Sequence, residues 1–363
     1  MTVSEHAAPI PAAEIRVLIV DDSAVARELL KSVLESDPGI RVVGMAATGG
    51  EGLELTVKLK PDLVTMDLVM PGMDGMEATQ RIMARHPTPI LFFSSFFERV
   101  GSYSRSDALA AGALDIVEKP TPMPDAHWAA AAGMMVTKVK ALAQVTVLTH
   151  IHGAPALDQR PQPRVSPRRA AGIVAIGAST GGPRVVEQLL SALPANYAPA
   201  VLVMQHMAEG FVTGLITWLR RRCPLSIAIA KDGDLLQSGR VLFAPASTHL
   251  SVQPGGRIRL RDDEPVMGCR PSVDVAFLSV ARAYGPRATG VLLTGMGTDG
   301  AAGLLAMRRA GGLTFAQDEA SCAMFGMPRA AIDLGAAQHV LPPAGIARSL
   351  LALHAGRVRS PRR

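Results

Sequence analysis

Two trains of short apolar runs, each alternating with amphipathic stretches, constrain what this chain can fold into. Arg16-Val-Leu-Ile-Val20 reads as a buried strand. Ala26, Leu29, Leu30, Val33 and Leu34 then recur at helical spacing until Asp37-Pro38-Gly39 stops the helix. Further strand runs are Ile40–Gly44, Asp62–Met66, Ile90–Phe93 and Ala113–Val117, with helical stretches between them. A second train begins with Gly172–Gly177, followed by a helix with Pro183 in its first turn and then by Val201–Met204. Strands alternating with helices predict parallel sheets covered on both faces, an α/β fold class. Residues 226–260 differ: Gly and Pro punctuate short runs, which predicts an antiparallel β insertion. Beyond it, Ser272 is placed to cap a helix bearing Val273, Ala276, Phe277 and Val280. A strand over Thr289–Leu293 and a helix from about Asp299 complete the pattern.

The Pro- and Arg-rich stretch Pro155–Arg169 has no apolar period and reads as a semi-extended linker. The expected division is a disordered tail over 1–13, a domain over 14–148, a linker over 149–170, a second domain over 171–356 and a basic tail over 357–363. The net charge of +6 is concentrated in the linker and the tail, so the remaining chain is close to neutral. A nucleic-acid reader carries its charge on the docking element, so neither nucleic-acid binding nor a DNA-binding output is expected. No uncharged apolar run has the length of a membrane span, and residues 1–13 lack the pattern of a signal peptide. Cys223, Cys269 and Cys322 are far apart and odd in number, which fits a reducing cytoplasm.

Chemistry-bearing residues gather where the strands of the first half end. Asp21 and Asp22 follow the first strand, Asp67 ends the third, Ser94 the fourth, and Lys119 follows the fifth. In a doubly wound sheet, ligands bind beyond the carboxyl ends of the strands, so these groups are expected to converge. Three close carboxylates require a proton or a cation among them, and oxygen ligands with a phosphate suit Mg²⁺. A lone Asp after a strand is ordinarily a cap or turn residue, but the joint pattern is not ordinary. The Asp21-Asp22-Ser23 run, Asp67 with Met70-Pro71 and Asp74-Gly75, Ser94, and Lys119-Pro120 together resemble a two-component receiver domain of flavodoxin-like fold. The resemblance implies that Asp67 accepts a phosphoryl group from a histidine kinase. It also implies that Asp21, Asp22, Asp67 and the carbonyl of Val69 hold Mg²⁺, and that Ser94 and Lys119 contact the phosphoryl oxygens. Ile116 departs from the pattern, since receivers often carry an aromatic switch residue there.

In the second half, Gly177-Ala178-Ser179-Thr180-Gly181 matches G-x-S-x-G between a strand and a helix. Such a turn exposes a serine hydroxyl, though it also suits a plain glycine turn or a phosphate cradle. Serine needs a base, and His206 ends the next strand run; His249 is the rival. Asp299, again after a buried strand, is the candidate orienting acid, with helix capping as its bland alternative. The order Ser, His, Asp is not that of an α/β-hydrolase. Ile176–Gly182, Gln205-His-Met207, Arg270-Pro-Ser-Val-Asp274, Leu293–Gly297, Asp299–Gly303, Glu319–Cys322 and Phe325–Pro328 resemble the catalytic domain of the chemotaxis protein-glutamate methylesterases. That resemblance implies a Rossmann-like, mostly parallel domain with Ser179 as nucleophile, His206 as base then acid, and Asp299 orienting His206.

The implied reaction is hydrolysis of glutamyl methyl esters on chemoreceptors to glutamate and methanol, with deamidation of receptor glutamines as the same acyl chemistry. Backbone N–H groups of Thr180 and Met296 are the oxyanion candidates. No cofactor is expected for the esterase. Phosphorylation of a covering receiver is expected to open the cleft. The alternatives are a non-catalytic interaction module and a cysteine hydrolase using Cys322.

Overall fold

The computed structural model describes residues 14–94, 111–119, 126–143, 145, 170–207 and 211–359, which form two compact units. The tail expected over 1–13, nearly all of the expected linker and the last residues of the basic tail lie outside them.

The first unit holds β1 (Ile15–Val20), α1 (Ala24–Leu34), β2 (Ile40–Ala46), α2 (Gly49–Leu59), β3 (Leu63–Asp67), α3 (Gly75–Arg85), β4 (Ile90–Ser94), β5 (Asp115–Glu118) and α4 (Ala126–Leu142). Its sheet runs β2-β1-β3-β4-β5, and every neighbouring pair is parallel. The chain turns from β2 across β1 to β3, so the switch point lies between the ends of β1 and β3. The helices start where short polar side chains cap them. Ser23 Oγ accepts from Ala26 N–H, Thr48 Oγ1 from Glu51 N–H and Asp74 Oδ1 from Glu77 N–H. The fifth strand begins at Asp115, later than the apolar run from Ala113 suggests; Ala113 and Leu114 are buried in the approach turn.

The second unit comprises β6 (Ile173–Ala178), α5 (Gly182–Ser191), β7 (Ala200–Gln205), α6 (Phe211–Arg222), β8 (Ser226–Ile229), β9 (Arg240–Phe243), β10 (His249–Gln253), β11 (Arg257–Arg261), α7 (Val273–Tyr284), β12 (Ala288–Leu292), α8 (Ala301–Arg309), β13 (Leu313–Gln317), α9 (Met327–Asp333), β14 (His339–Leu341) and α10 (Pro343–Arg359). Its seven-stranded sheet runs β14-β13-β12-β6-β7-β9-β8 and is parallel throughout. All of β6, β7 and β12 is buried, as continuous apolar runs covered on both faces require. The antiparallel insertion is narrower than 226–260. Among the described strands, only β10 and β11 pair antiparallel, joined by an isolated antiparallel bridge between Leu235 and Arg257, while β8 and β9 extend the main sheet. The final helix continues to Arg359, past the boundary expected at 356. The switch point of this sheet falls between β6 and β12, which aims the loops after β6, β7 and β12 at one rim.

Candidate active site

Ser179 follows β6 directly. Its strand is paired in register with β7, Ala178 opposite Gln205, and His206 N–H donates to the Ala178 carbonyl at 2.9 Å. Ser179 and His206 are therefore the first residues beyond two adjacent strands. Gln205 fixes the pair, because its Nε2 donates to the carbonyls of Ser179 (2.8 Å) and His206 (3.1 Å). Gly181 takes a left-handed φ of +76° to turn the chain into α5, a conformation disfavoured for other residues.

Asp299 is 3% exposed and accepts four hydrogen bonds. Its Oδ1 takes Ser272 Oγ–H (2.8 Å) and Asp274 N–H (2.9 Å). Its Oδ2 takes Val273 N–H (2.7 Å) and His206 Nε2–H (2.9 Å). The carboxylate thus sits on the first turn of α7, where free N–H groups and the helix dipole favour negative charge. Burial raises its pKa, but these donors outweigh burial and hold it below the usual value. It does not cap the helix that follows it; Gly300 occupies that position. Ser272 caps α7 as expected and also donates to Asp299, a role the spacing did not reveal.

Burial lowers the His206 pKa, yet the hydrogen bond to Asp299 and the neighbouring Cys269 more than compensate, lifting it to about 9. Because Nε2 is tied to Asp299, the nitrogen left for other chemistry is Nδ1. Cys269 Sγ lies 4.0 Å from it. Nothing in the sequence pattern had marked Cys269, since the hairpin that carries it, with Val266 and Cys269 exchanging backbone hydrogen bonds, is non-local to His206. His249 is committed elsewhere: Nδ1 accepts Ser272 N–H and Nε2 bonds the Glu264 carbonyl. Burial pushes the Cys322 thiol up to about 12, which disfavours a thiolate nucleophile.

The backbone N–H groups of Thr180 and Met296 have no acceptor among the described residues. Gly295 sets the second of them. A Cβ there would lie 2.7 Å from Ser179 Cβ and drive into Met327 Sδ, so only glycine lets the Thr294–Gly297 loop pass against Ser179. Gly295 is also pinned from both sides, by its N–H on Met324 O and its carbonyl on Met327 N–H. Thr294 Oγ1 donates to Thr180 O at 2.9 Å, tying this loop to the serine turn.

In the first unit, Lys119 Nζ lies 2.6 Å from Asp21 Oδ2 and 2.9 Å from Asp67 Oδ2. The cation demanded by the buried carboxylates is supplied in part by this lysine. Asp67 Oδ1 accepts Leu68 N–H. Burial raises the Asp67 pKa despite Lys119, while Lys119, though burial pulls it down, is raised by its two carboxylate partners. Oxygens of Asp21, Asp22 and Asp67 lie within 4.8 Å of one another, an all-oxygen set suited to a hard divalent cation such as Mg²⁺. The Val69 carbonyl has no hydrogen bond among the described residues. Ser94 ends β4 opposite Glu118, beside Lys119; its side chain lies outside the described residues. Ile116 is buried within β5.

The family model of the CheB methylesterases matches residues 174–350, and that of the response regulator receiver domain matches 17–130. A protein-glutamate methylesterase/protein-glutamine glutaminase of Syntrophus aciditrophicus (strain SB) is 43% identical over 344 residues, 93% of this chain and 98% of the relative. The chain belongs to the CheB methylesterase family. A relative of the same name from Anaeromyxobacter dehalogenans (strain 2CP-C) is 45% identical over 339 residues, 93% of this chain and 96% of its own. The crystal structure of the Thermotoga maritima CheB methylesterase catalytic domain is 36% identical, covering 50% of this chain and 98% of that one, with a TM-score of 0.49. The response regulator domain of Thermotoga maritima CheB is 38% identical over 37% of this chain and 99% of that one, with a TM-score of 0.33. The family membership agrees with both resemblances drawn from the sequence, and no helix among the described residues is long and apolar enough to cross a membrane.

Proposed function

We propose that this chain is a phosphorylation-regulated serine esterase that hydrolyses glutamyl methyl esters on chemoreceptors, and that it deamidates receptor glutamines by the same chemistry. The receptor, a histidine kinase and a cytoplasmic setting follow from that role, with one domain over 14–148 and a second from 171 through the final helix to 359. The observation that carries the reading is the 2.9 Å bond from His206 Nε2 to a four-donor Asp299, beside a serine that the strand register sets next to His206.

In this reading Ser179 Oγ attacks the ester carbonyl as neutral His206 takes its proton on Nδ1. Chymotrypsin-type triads use the opposite ring nitrogens, Nε2 toward serine and Nδ1 toward aspartate. Asp299 fixes the tautomer and stabilises the imidazolium that forms. The N–H groups of Thr180 and Met296 receive the developing oxyanion, each such donor being worth about 3 kcal/mol. His206 then returns the proton to methoxide, and methanol leaves. Water, activated by His206, cleaves the acyl-enzyme to glutamate.

In the receiver unit, Asp67 accepts the phosphoryl group and Lys119 and Ser94 meet its oxygens. Asp21, Asp22, Asp67 and the Val69 carbonyl would hold Mg²⁺, which when bound offsets the charge of the incoming phosphoryl group. Methanol release from methylated receptor membranes, with and without a small phosphodonor, tests the whole. Release by the wild type, raised by the donor and unresponsive to it in Asp67→Asn, is expected. Absence of release from a folded chain overturns the proposal.

A further inference from the structure

Among the described residues, two groups of ligand-type side chains converge: the three receiver carboxylates, and His206 with Cys269 and Asp299. The second group differs in kind. It offers nitrogen and sulfur, donors that select Zn²⁺ and related thiophilic ions over Mg²⁺. We propose that His206 Nδ1 and Cys269 Sγ form a binding site for a thiophilic divalent cation of the Zn²⁺ class, with Asp299 as the outer partner of His206, and that occupancy switches the esterase off.

Two independent features support this. Zinc takes sulfur at about 2.3 Å and nitrogen at about 2.0 Å, so a tetrahedral angle sets the two donors about 3.5 Å apart. Sγ and Nδ1 stand 4.0 Å apart, so closing the pair needs only a few tenths of an ångström. The other feature lies behind the ring. A metal-bound histidine almost always donates its other N–H to a carboxylate or carbonyl, which orients the ring and raises its basicity. His206 Nε2 already does this to Asp299, whose remaining lone pairs are occupied by Ser272 and the α7 backbone. The same arrangement that frees Nδ1 to act as a base therefore also presents it to a metal.

Cys269 is reachable and well placed. It is half-buried, and the hairpin that carries it is closed by hydrogen bonds between Val266 and Cys269 at 3.1 and 2.9 Å. Cys223 is buried, and among the described residues neither it nor Cys322 joins a cluster of ligand-type side chains. Binding displaces the Cys269 thiol proton, and the Nδ1 proton when the ring is charged, to solvent. Two protein ligands leave the remaining positions to water, as befits a reversible, inhibitory site. With the Nδ1 lone pair on the metal, the Ser179 proton has no acceptor. This inhibition rests on the esterase reading; the binding itself does not.

Cobalt(II) reports the two aspects separately, because a thiolate bound to it gives a near-ultraviolet charge-transfer band that oxygen ligands at the receiver cannot give. The chelator-treated full chain, titrated with Co²⁺ without oxygen, is expected to show the band and to lose it when Zn²⁺ is added. Cys269→Ser and Cys269→Ala, checked for folding by circular dichroism, should abolish the band, while Cys322→Ser keeps it. Asp299→Asn should weaken Co²⁺ binding about 10- to 100-fold, as loss of an outer partner does. Zn²⁺ should suppress wild-type methanol release, reversibly with chelator. At least tenfold more Zn²⁺ should be needed to halve the rate of Cys269→Ser, relative to its own metal-free rate. No band in the wild type, or a band that survives in Cys269→Ser, overturns the site. A band without suppression overturns the switch alone, and a band in a protein that releases no methanol leaves the site standing while the esterase reading falls.

Discussion

Replacing Asp299 by Asn tests how the buried carboxylate drives the proposed chemistry. Four donors point at its two oxygens, and Asn has one oxygen to offer. If that oxygen faces Ser272 and Asp274 N–H, the amide NH₂ meets His206 Nε2. The ring must then accept on Nε2 and carry its proton on Nδ1, the wrong tautomer for a base. The charge is lost in either orientation. His206 stands at about 9, with burial as the largest influence and acting downward. Without the Asp299 charge, burial is opposed only by Cys269, and the ring falls back toward its ordinary value of about 6.5. That is a loss of about 2.5 pKa units, or about 3 kcal/mol, from the imidazolium that forms in the transition state. The expected fall in the limiting rate at high pH, where the wild-type ring is neutral, is therefore about 300-fold, approaching about 10⁴-fold where the tautomer is also inverted, as in the serine-protease template; near pH 7 the larger neutral fraction of the variant's ring offsets part of the loss. Methanol release followed from pH 6 to 10, with chelator present to keep Cys269 metal-free, is the assay. The wild-type rate should rise with pH up to about 9, and the residual rate of Asp299→Asn should level off at a lower pH. A folded Asp299→Asn protein within tenfold of wild type, with an unchanged pH profile, refutes the reasoning.

Other predictions follow from the same geometry. The His206 pKa is raised on folding, so its contribution to stability is full below about pH 6.5 and is lost as pH rises through about 9. The unfolding midpoint of the second unit should fall over that window, and Asp299→Asn should flatten the trend. Gly295→Ala should push the Ser179 turn and Met327 apart, lowering kcat at least tenfold with a lower unfolding temperature. Lys119→Ala removes the only cation among the described residues within 3 Å of both Asp21 and Asp67, so calorimetry should show tighter Mg²⁺ binding alongside slower phosphorylation by a small donor. Ser272→Ala removes a charge-assisted bond to Asp299 and the α7 cap, and should destabilise the chain by about 2 kcal/mol in denaturant melts.

Much of this was legible because parallel strands write their ends plainly. Several buried strands halt at a residue with chemistry, Asp67, or just before one, Asp21, Ser179 and His206. Register then does the rest, and Ala178 opposite Gln205 sets Ser179 and His206 side by side at the strand ends. Pairing between distant segments was less legible. Strands β8 and β9 are four residues each and look like hairpin arms, yet they join the sheet edge in parallel, since Gly and Pro punctuation marks turns without saying which strand comes next in space. Asp299 reads locally as the cap of its own helix, but its partners are the first turn of α7, 25 and 26 residues earlier. Cys269 had no motif at all; only the folded hairpin brings it to the His206 ring.

The central claim is that Ser179 is the nucleophile of a hydrolytic site built with His206 and Asp299. Methanol release from methylated receptor membranes by the wild type, Ser179→Ala and Cys322→Ala, each verified as folded, tests it most directly. The account predicts that Ser179→Ala loses release by about 10³-fold or more while Cys322→Ala stays near wild type. Release that persists in Ser179→Ala contradicts it.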